Sequence, residues 1–297
     1  MKIHLFGAAT PSGQALHDLA NHAVVGYSRR ISSEIGWLHT ADLKEPALFH
    51  PSGQPSDPAL WVSFAPIWLF SSFLEQLVTH HPERLQGLCG VIACSSSSCI
   101  TKRFASNKFD RNLVYKLKAA ENRLLSTCRR LSVPCRILRP TLIYGKAGSH
   151  GDRNLSRLLQ LMRRLPVLLL PEETGLRQPI HASQLAAVAL HLVEQASGAG
   201  WDPFLPERIS IGGDSILTYA EMISALQQNL SSGDPARRCR ILQIPNRLFF
   251  ALAGPLLLLS PKAFEAVLRM AANLSGFTPV HQFLGSEAKS FPVTPLA

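Results

Sequence analysis

Short apolar segments alternate with segments of helical periodicity along the first half of the chain. The predicted strands cover residues 2–6, 23–27, 36–39, 60–65, 87–94 and 134–138, and the predicted helices cover residues 11–21, 67–79 and 112–131. Strands that alternate with helices favour a parallel, doubly wound sheet, because each parallel strand needs a long crossover connection. The strands are apolar at nearly every position, which is typical of burial on both faces. The pattern therefore predicts an α/β fold.

The second half of the chain is less regular. Helices are predicted at residues 154–165, 182–196 and 219–230, and a strand at residues 208–211. We expect a sheet domain at 1–150 and a smaller, mixed substrate lobe at 151–297, with about 178–200 returning to the sheet domain.

One long apolar stretch stands out near the C-terminus. It runs from Leu248 to Leu259, is interrupted by Gly254 and Pro255, and is too short to span a bilayer. We expect a buried helix here. A helix lying on a membrane surface is the alternative, because Arg237, Arg238, Arg240 and Arg247 flank the stretch.

Composition narrows the classes of partner. The 297 residues are 46% hydrophobic and 17% charged, so the chain can bury a large core. A formal net charge of +10 favours negatively charged partners: nucleic acids, anionic lipids or phosphorylated small molecules. The basic residues are scattered and are not interleaved with aromatic residues, so we expect no nucleic-acid partner.

The cysteines and the N-terminus bear on the cellular compartment. None of the six cysteines forms a Cys-x-x-Cys pair or has zinc-finger spacing with histidine, so we expect reduced thiols and no metal site. Cys89 and Cys94 fall in a predicted buried strand. The N-terminus lacks the long apolar core of a signal peptide. These features predict a cytoplasmic protein, with a place on the inner face of the membrane as a further hypothesis.

The turn after the first strand has the pattern of a dinucleotide site. Such a site needs a tight glycine turn, so that backbone N–H groups at the following helix N-terminus meet the pyrophosphate. The residues predicted to hold this part of a cofactor are Gly7, Thr10, Pro11, Ser12 and Gly13. Thr10 stands at the middle position, where close approach of the backbone usually requires glycine. An ordinary strand-to-helix turn is the alternative.

The ends of the next strands supply further candidates. Ser28, Arg29 and Arg30 follow the second strand, where an acidic residue would favour NAD and an arginine favours the 2′-phosphate of NADP. Asp42 and Leu43 follow the third strand, within reach of an adenine. The cofactor is therefore expected to be NADP or NAD. Solvated loop residues are the alternative at both places.

A run of serines, Ser95 to Ser98, follows the fifth strand. The carboxyl ends of strands face the ligand in an open α/β sheet, so these hydroxyls could hydrogen-bond a substrate oxygen. A polar cap on the strand end is the alternative.

Taken together, these segments resemble the NAD-dependent epimerase/dehydratase family of the short-chain dehydrogenase/reductase superfamily. The resemblance covers nearly the whole chain. It is carried by residues 7–13, 42–43, 95–98, 138–145, 151–156, 175–186 and 211–219, of which Arg-Pro-Thr-Leu-Ile-Tyr-Gly at 139–145 is the most specific. The resemblance implies a Rossmann-type sheet, a nicotinamide cofactor, a nucleotide-sugar substrate and a homodimer.

The resemblance also implies roles for single residues. It places Ala65 and Pro140 beside the cofactor, and Arg139 and Tyr144 at the junction between nicotinamide and substrate. Asn154 would contact the nucleotide part of the substrate, and Arg177 would hold its diphosphate.

One departure from the family concerns the chemistry. Catalytic members carry a Tyr-x-x-x-Lys pair on the helix after the serine strand, whereas Tyr115 and Lys118 here are three residues apart. Residues three apart still share a helix face, so Ser96, Ser97, Tyr115 and Lys118 are the predicted catalytic set. The alternative is a solvated helix face that also includes Glu121.

Two functional hypotheses follow. The first is an NAD(P)-dependent epimerase, dehydratase or reductase that acts on a nucleotide sugar by hydride transfer, for example in cell-surface polysaccharide synthesis. The second is a non-catalytic NADP-binding regulatory or scaffold protein, for which the missing Tyr-x-x-x-Lys pair is the argument. Weak contact with a membrane surface is compatible with either.

Overall fold

The computed structural model describes residues 1–29, 36–54, 56–105, 107–147, 150–151, 154–255 and 260–293. The first half contains β1 (Lys2–Phe6), α1 (Pro11–Leu19), β2 (Val24–Ser28), β3 (Leu38–Thr40), β4 (Ala59–Ser63), α2 (Ile67–His80), β5 (Leu88–Cys94), α3 (Ser98–Thr101), α4 (Lys108–Arg130) and β6 (Cys135–Pro140). The second half begins with β7 (Ile143–Tyr144), β8 (Lys146–Ala147), β9 (His150–Gly151), α5 (Asn154–Arg164), β10 (Val167–Pro171), β11 (Leu176–Arg177), β12 (Ile180–His181) and α6 (Ala182–Ser197). It continues with β13 (Arg208–Gly212), β14 (Leu217–Thr218), α7 (Tyr219–Gln228), β15 (Arg240–Ile244), α8 (Asn246–Ala253), α9 (Pro261–Leu268), β16 (Thr278–Pro279) and α10 (Val280–Leu284).

Eight strands form one parallel sheet, in the order β3-β2-β1-β4-β5-β6-β13-β16. This confirms the predicted doubly wound α/β architecture. The strand order reverses between β1 and β4, so the crossovers leave in opposite directions there. In such sheets a crevice opens at the carboxyl ends of the strands at the reversal.

Both faces of the sheet are buried, which explains the apolar strands. On one face, α2 and α4 pack together over side chains such as Phe70, Leu74 and Leu124. On the other face, α1 and α6 pack together over Leu5, Leu60 and their neighbours. Helix α6 lies within the predicted returning segment 178–200. Strands β13 and β16, from the second half of the chain, also belong to this sheet. The predicted domain boundary near residue 150 stays a prediction.

Smaller sheets organise the second half. Strands β10 and β15 form a parallel pair, and β11 and β14 an antiparallel pair. Side chains of α5, α7 and β10 form a separate core that includes Leu159, Leu170 and Ile223. Strands of two residues, such as β11 and β14, cannot be predicted from hydrophobic periodicity, because two residues carry no measurable period.

Two expectations about burial are wrong. Cys89 is exposed because the register between β4 and β5 shifts at Ala59 and Leu60, and Cys89 falls in that irregularity. Cys94, at the carboxyl end of β5, is half-buried. The stretch expected to be a buried helix is described as far as Pro255. Within it, α8 buries Phe249 and Ala253 but exposes Leu248 and Leu252. Residues 256–259 lie outside the described residues.

A buried histidine makes stability depend on pH. His4 lies on β1 with its Nδ1 2.8 Å from the Tyr27 hydroxyl oxygen. Burial, with the charges of Lys2 and His39, lowers the pKa of His4 to about 4. The unfolded chain binds this proton at about pH 6.5, so the contribution of His4 to the free energy of unfolding is complete above that pH. It is lost as the pH falls towards 4.

We therefore expect the free energy of unfolding to fall by roughly 2–3 kcal/mol between pH 7.5 and pH 4.5 on account of His4. Urea denaturation at the two pH values measures this. His4→Gln keeps a partner for Tyr27 and should flatten the dependence, whereas the exposed His80→Gln should not. Equal pH dependence in wild type and His4→Gln would contradict the assignment.

Candidate functional site

Two cavities open at the carboxyl edge of the sheet. The first, the turn cavity, has a volume of about 510 Å³ and lies where β1, β2, β3 and β4 end. It is lined by Phe6, Gly7, Ala9, Thr10, Tyr27, Ser28, Arg29, Ala41, Asp42, Leu43, Ala65, Pro66 and Leu69. Seven predicted cofactor residues are in this set: Gly7, Thr10, Ser28, Arg29, Asp42, Leu43 and Ala65.

The remaining predicted cofactor residues lie elsewhere. Pro11, Ser12 and Gly13 form the first turn of α1, beside the turn cavity. Pro140 is buried at the end of β6 and does not line the turn cavity. Arg30 lies outside the described residues.

Steric constraints explain both glycines of the turn. Gly7 has φ +75°, and a Cβ there would lie 2.5 Å from the Ala65 backbone nitrogen. A Cβ on Gly13 would lie 2.5 Å from the Gly7 carbonyl oxygen. Distances below 3.0 Å are not seen for real Cβ atoms. A side chain at Gly13 would therefore push α1 away from the turn after β1, and a side chain at Gly7 would push that turn away from the backbone after β4.

Thr10 replaces the middle glycine by capping the helix. Its hydroxyl donates to the Gly7 carbonyl oxygen at 2.8 Å and accepts from the Gly13 N–H at 3.1 Å. Pro11 has no N–H, so the Ser12 N–H is the donor that this first turn offers to an anion. The Thr10 hydroxyl is thus engaged with the backbone of the turn.

The end of β2 carries positive charge and no carboxylate. Arg29 is exposed on the rim of the turn cavity and has no acidic partner within the part of the chain that the structure describes. Asp42 accepts from the Lys44 N–H at 3.0 Å, which fixes the loop after β3.

The second cavity, the serine cavity, has a volume of about 450 Å³. It is lined by Ser96, Ser97, Ser98, Thr101, Lys102, Thr141, Leu142, Ile143, Leu155, Leu158, Arg177, Gln178, Tyr219, Met222, Arg269 and Leu274. The structure thus brings together Ser96, Ser97 and Arg177, which lie far apart in the sequence.

Arg177 is the buried cation of the serine cavity. Only 7% of the residue is exposed. Its guanidinium donates to the carbonyl oxygens of Leu176 at 2.8 Å and Ala272 at 2.6 Å, and lies 5.1 Å from the ring centre of Tyr219. Among the described residues it has no carboxylate partner. Burial lowers the pKa of Arg177, and the nearby Tyr219 opposes this effect. A buried charge with no counter-ion is suited to an anionic ligand.

The other cations of the serine cavity are neutralised. Lys102 Nζ lies 2.8 Å from Asp110 Oδ1, and Arg269 pairs with both Asp110 and Glu265. Burial favours a higher pKa for Asp110, but hydrogen bonds from Asn107, Lys102 and Arg269 outweigh it and lower the pKa to about 2. Lys102 and Arg269 are therefore held in place as parts of a charge cluster.

Arg139 is engaged outside both cavities. Its guanidinium forms a two-point ion pair with Glu121, a residue only 1% exposed. Glu121 also accepts from the Ser95 hydroxyl at 2.6 Å, and its Oε2 lies 3.3 Å from Arg208 Nε. Burial favours a higher pKa for Glu121, but the bonds from Arg139 and Ser95 lower it overall. The interpretation of Glu121 as part of a solvated helix face is wrong.

Tyr144 is also fully buried and lines neither cavity. Its hydroxyl oxygen accepts from the Val293 N–H at 2.8 Å, and its ring packs edge-on against His181 and Phe291. The side chain of Arg139 is thus held by an ion pair and that of Tyr144 by packing, and their predicted roles beside the substrate stay predictions. The side chain of Asn154 lies outside the described residues.

The predicted pair Tyr115 and Lys118 does not reach either cavity. Tyr115 is 77% exposed, and Lys118 is exposed as well. The buried face of α4 carries Val114, Leu117 and Glu121 at helical spacing, and the pair falls on the opposite side.

Six polar residues of the serine cavity had no predicted role: Thr101, Lys102, Thr141, Gln178, Tyr219 and Arg269. Gln178 is fixed by hydrogen bonds to Gly213 and Phe277. Burial raises the pKa of Tyr219, against the effect of Arg177. Gln178 and Tyr219 lie in the segments 175–186 and 211–219 that carried the family resemblance, which is the signal that pointed to them.

Comparison with known proteins defines the fold. No protein-family model and no curated sequence matches this chain. The human epimerase family protein SDR39U1 (isoform 2) with NADPH is 17% identical with a TM-score of 0.60, covering 99% of this chain and 96% of that one. UDP-glucuronic acid 4-epimerase from Bacillus cereus in complex with NAD is 16% identical, with a TM-score of 0.56 and coverages of 82% and 88%. A nucleoside-diphosphate-sugar epimerase from Staphylococcus aureus is 14% identical, with a TM-score of 0.57 and coverages of 98% and 98%.

These likenesses show that the chain has the fold of the NAD-dependent epimerases and dehydratases of the short-chain dehydrogenase/reductase superfamily. Within the described ranges, there is no group of three or more His, Cys, Asp or Glu residues that could hold a metal ion. In the same ranges, every helix is too short or too polar to cross a membrane.

The Glu121 cluster yields a test of stability. Glu121→Ala leaves Arg139 largely buried without its counter-ion, and loss of one partner of a buried pair costs about 3–5 kcal/mol. Urea denaturation should show a loss of this order. Glu83→Ala, which removes an exposed carboxylate beside Arg84, should cost less than about 1 kcal/mol. Similar losses for the two variants would show that Glu121 is not a structural centre.

Proposed function

We propose that the protein is an NADP-dependent oxidoreductase of the epimerase/dehydratase type that acts on a nucleotide sugar. The observation that carries the proposal is Arg177: a buried guanidinium without a carboxylate partner lines one cavity with Ser96 and Ser97. A glycine turn of the dinucleotide-binding type forms the neighbouring cavity.

The residues of the turn cavity fit a nicotinamide dinucleotide. In this proposal the Ser12 N–H at the start of α1 meets the pyrophosphate, and the close approach at Gly7 and Gly13 leaves room for it. Leu43 and Ala65 provide apolar contacts for the adenine. Arg29 favours the 2′-phosphate of NADP, because arginine and not an acidic residue directly follows β2. Structures of the same fold are bound to NAD or NADPH, which supports this class of cofactor.

The serine cavity fits the substrate. The Arg177 guanidinium offers hydrogen-bond donors in a fixed plane, which suits the diphosphate of a nucleotide sugar. The hydroxyls of Ser96 and Ser97 would hydrogen-bond the sugar oxygen at the reacting carbon. Solved structures of this fold include UDP-sugar epimerases, which supports the substrate class.

The proton needs a different donor from the family's usual one. When bound, the nicotinamide accepts or gives up a hydride, and a protein group must exchange the accompanying proton. Tyr219 is a tyrosine of the serine cavity, and burial keeps its hydroxyl protonated. We assign it as the candidate acid, in place of Tyr115 and Lys118.

The alternative function is a non-catalytic NADP-binding regulatory or scaffold protein. The observation in its favour is that Tyr115 and Lys118 lie on the exposed face of α4. We further propose that the protein is a cytoplasmic homodimer with a role in cell-surface polysaccharide synthesis. Both functions are compatible with these properties.

Calorimetric titration with NADPH and NADH tests the cofactor. We expect tighter binding of NADPH, and Arg29→Ala should weaken NADPH binding about tenfold or more while leaving NADH binding unchanged. Gly13→Asp should abolish binding of both, since even a Cβ there meets the Gly7 carbonyl. Arg130→Ala, at the far end of α4, is the matched control. Absence of binding by either cofactor in the wild type would refute the proposed site.

Turnover with a panel of nucleotide sugars tests the substrate and the chemistry. Arg177→Lys should raise KM about tenfold or more, because a lysine cannot replace the planar guanidinium. Replacing Ser96 and Ser97 together by alanine should lower kcat on the order of a hundredfold. Arg130→Lys and the exposed Ser126→Ala are the controls. Tight NADPH binding without turnover of any nucleotide sugar would favour the regulatory protein.

A further inference from the structure

The outer face of the β10–β15 pair exposes leucines. Leu169 and Leu242 are register partners on these parallel strands, so their side chains lie side by side. Leu170 and Ile241, one residue away on each strand, point to the inner core that contains Leu159. The alternation along each strand therefore places Leu169 and Leu242 on the outer face, where both are exposed.

Helix α8, which follows β15 directly, carries a second pair of exposed leucines. It packs against β10 and buries Phe249 and Ala253. Leu248 and Leu252 are one helical turn apart and lie on its exposed side. Leu169, Leu242, Leu248 and Leu252, here called the leucine surface, are between 41% and 60% exposed.

Arginines cluster at one end of the same strands. Residues around the starts of β10 and β15 include Arg163, Arg164, Arg237, Arg238 and Arg240, all exposed. Arg163 pairs with Asp234 at 2.8 Å. The other four have no carboxylate partner among the described residues. Arg240 lies two residues before Leu242 and so shares its face of the strand pair.

Charge and apolar area point to one kind of partner. Exposed leucines beside unpaired arginines match a surface in which phosphate groups lie above hydrocarbon. The arginine side chains can reach the headgroups while the leucines enter the boundary of the acyl chains. Asp234 lies at the arginine end and pairs with Arg163, whereas Glu172 and Glu173 follow the opposite end of β10. The other four arginines therefore leave this end of the strand pair positively charged.

We propose that the leucine surface and its arginine cluster form a docking site for an anionic phospholipid bilayer. The site lies on the outer face of the strand pair, whereas α5 and α7, which line the serine cavity, pack on its inner face. It therefore does not depend on the proposed enzymatic function.

Co-sedimentation of the full chain with vesicles tests the proposal. Vesicles of phosphatidylcholine are compared with vesicles of phosphatidylcholine and phosphatidylglycerol, at low and at physiological salt. The protein should sediment with the anionic vesicles alone, and less so at higher salt. Replacing Arg238 and Arg240 together by glutamate should reduce the bound fraction on the order of tenfold. Replacing Leu248 and Leu252 together by glutamine should reduce it as well.

Matched variants elsewhere on the surface serve as controls. Arg130→Glu changes an exposed arginine on α4, and Phe204→Gln removes an aromatic ring that is almost fully exposed. Neither should affect sedimentation, and circular dichroism should show all variants folded. Absence of binding to anionic vesicles would overturn the proposal, as would equal binding to neutral ones. A leucine variant that abolishes self-association instead would assign the surface to a second copy of the chain.

Discussion

One buried carboxylate organises the part of the sheet that borders the serine cavity. Glu121 accepts hydrogen bonds from Ser95 at the end of β5 and from Arg139 at the end of β6, and pairs with Arg208 at the start of β13. A carboxylate in such a position is tolerated only when its oxygens are satisfied. The cluster therefore fixes three neighbouring strands to α4. Because Ser96 and Thr141 follow directly after these strand ends, the cluster also sets the walls of the cavity.

The cations that line the serine cavity differ in whether a carboxylate neutralises them. Lys102 and Arg269 share the carboxylate of Asp110 and are already neutralised. Among the described residues Arg177 donates to backbone carbonyls and lies over the Tyr219 ring, with no carboxylate partner. Of the three cations that line the cavity, it is therefore the one whose charge no described carboxylate balances. In the turn cavity the constraint is steric rather than electrostatic. The close contacts at Gly7 and Gly13 determine the space at the start of α1.

The departure from the family pattern lies in helix α4 rather than in the sheet. The turn after β1, the serine segment and Arg177 all lie beside cavities, and their roles there remain predictions. Helix α4 instead presents Leu117 and Glu121 to the interior and turns Tyr115 to solvent. The tyrosine that lines the serine cavity comes from α7, on the other side of that cavity. The epimerase/dehydratase fold is thus combined with a different set of polar groups at the carboxyl edge of the sheet.

The sequence by itself determined the sheet and most of its helices. A strand buried on both faces appears in the sequence as an apolar run, and a turn with no room for side chains appears as glycines at fixed positions. The strands β1 to β6 and the segment 7–13 could therefore be predicted. Tertiary structure alone decided which polar residues meet. Arg139 and Arg177 have the same chemistry in the sequence, yet Arg139 meets a buried carboxylate and Arg177 does not. Likewise, Glu121 is accommodated on the buried face of α4 because Ser95, Arg139 and Arg208, which lie far from it in the chain, satisfy its carboxylate. These outcomes depend on contacts between residues far apart in the chain, and local periodicity carries no information about such contacts.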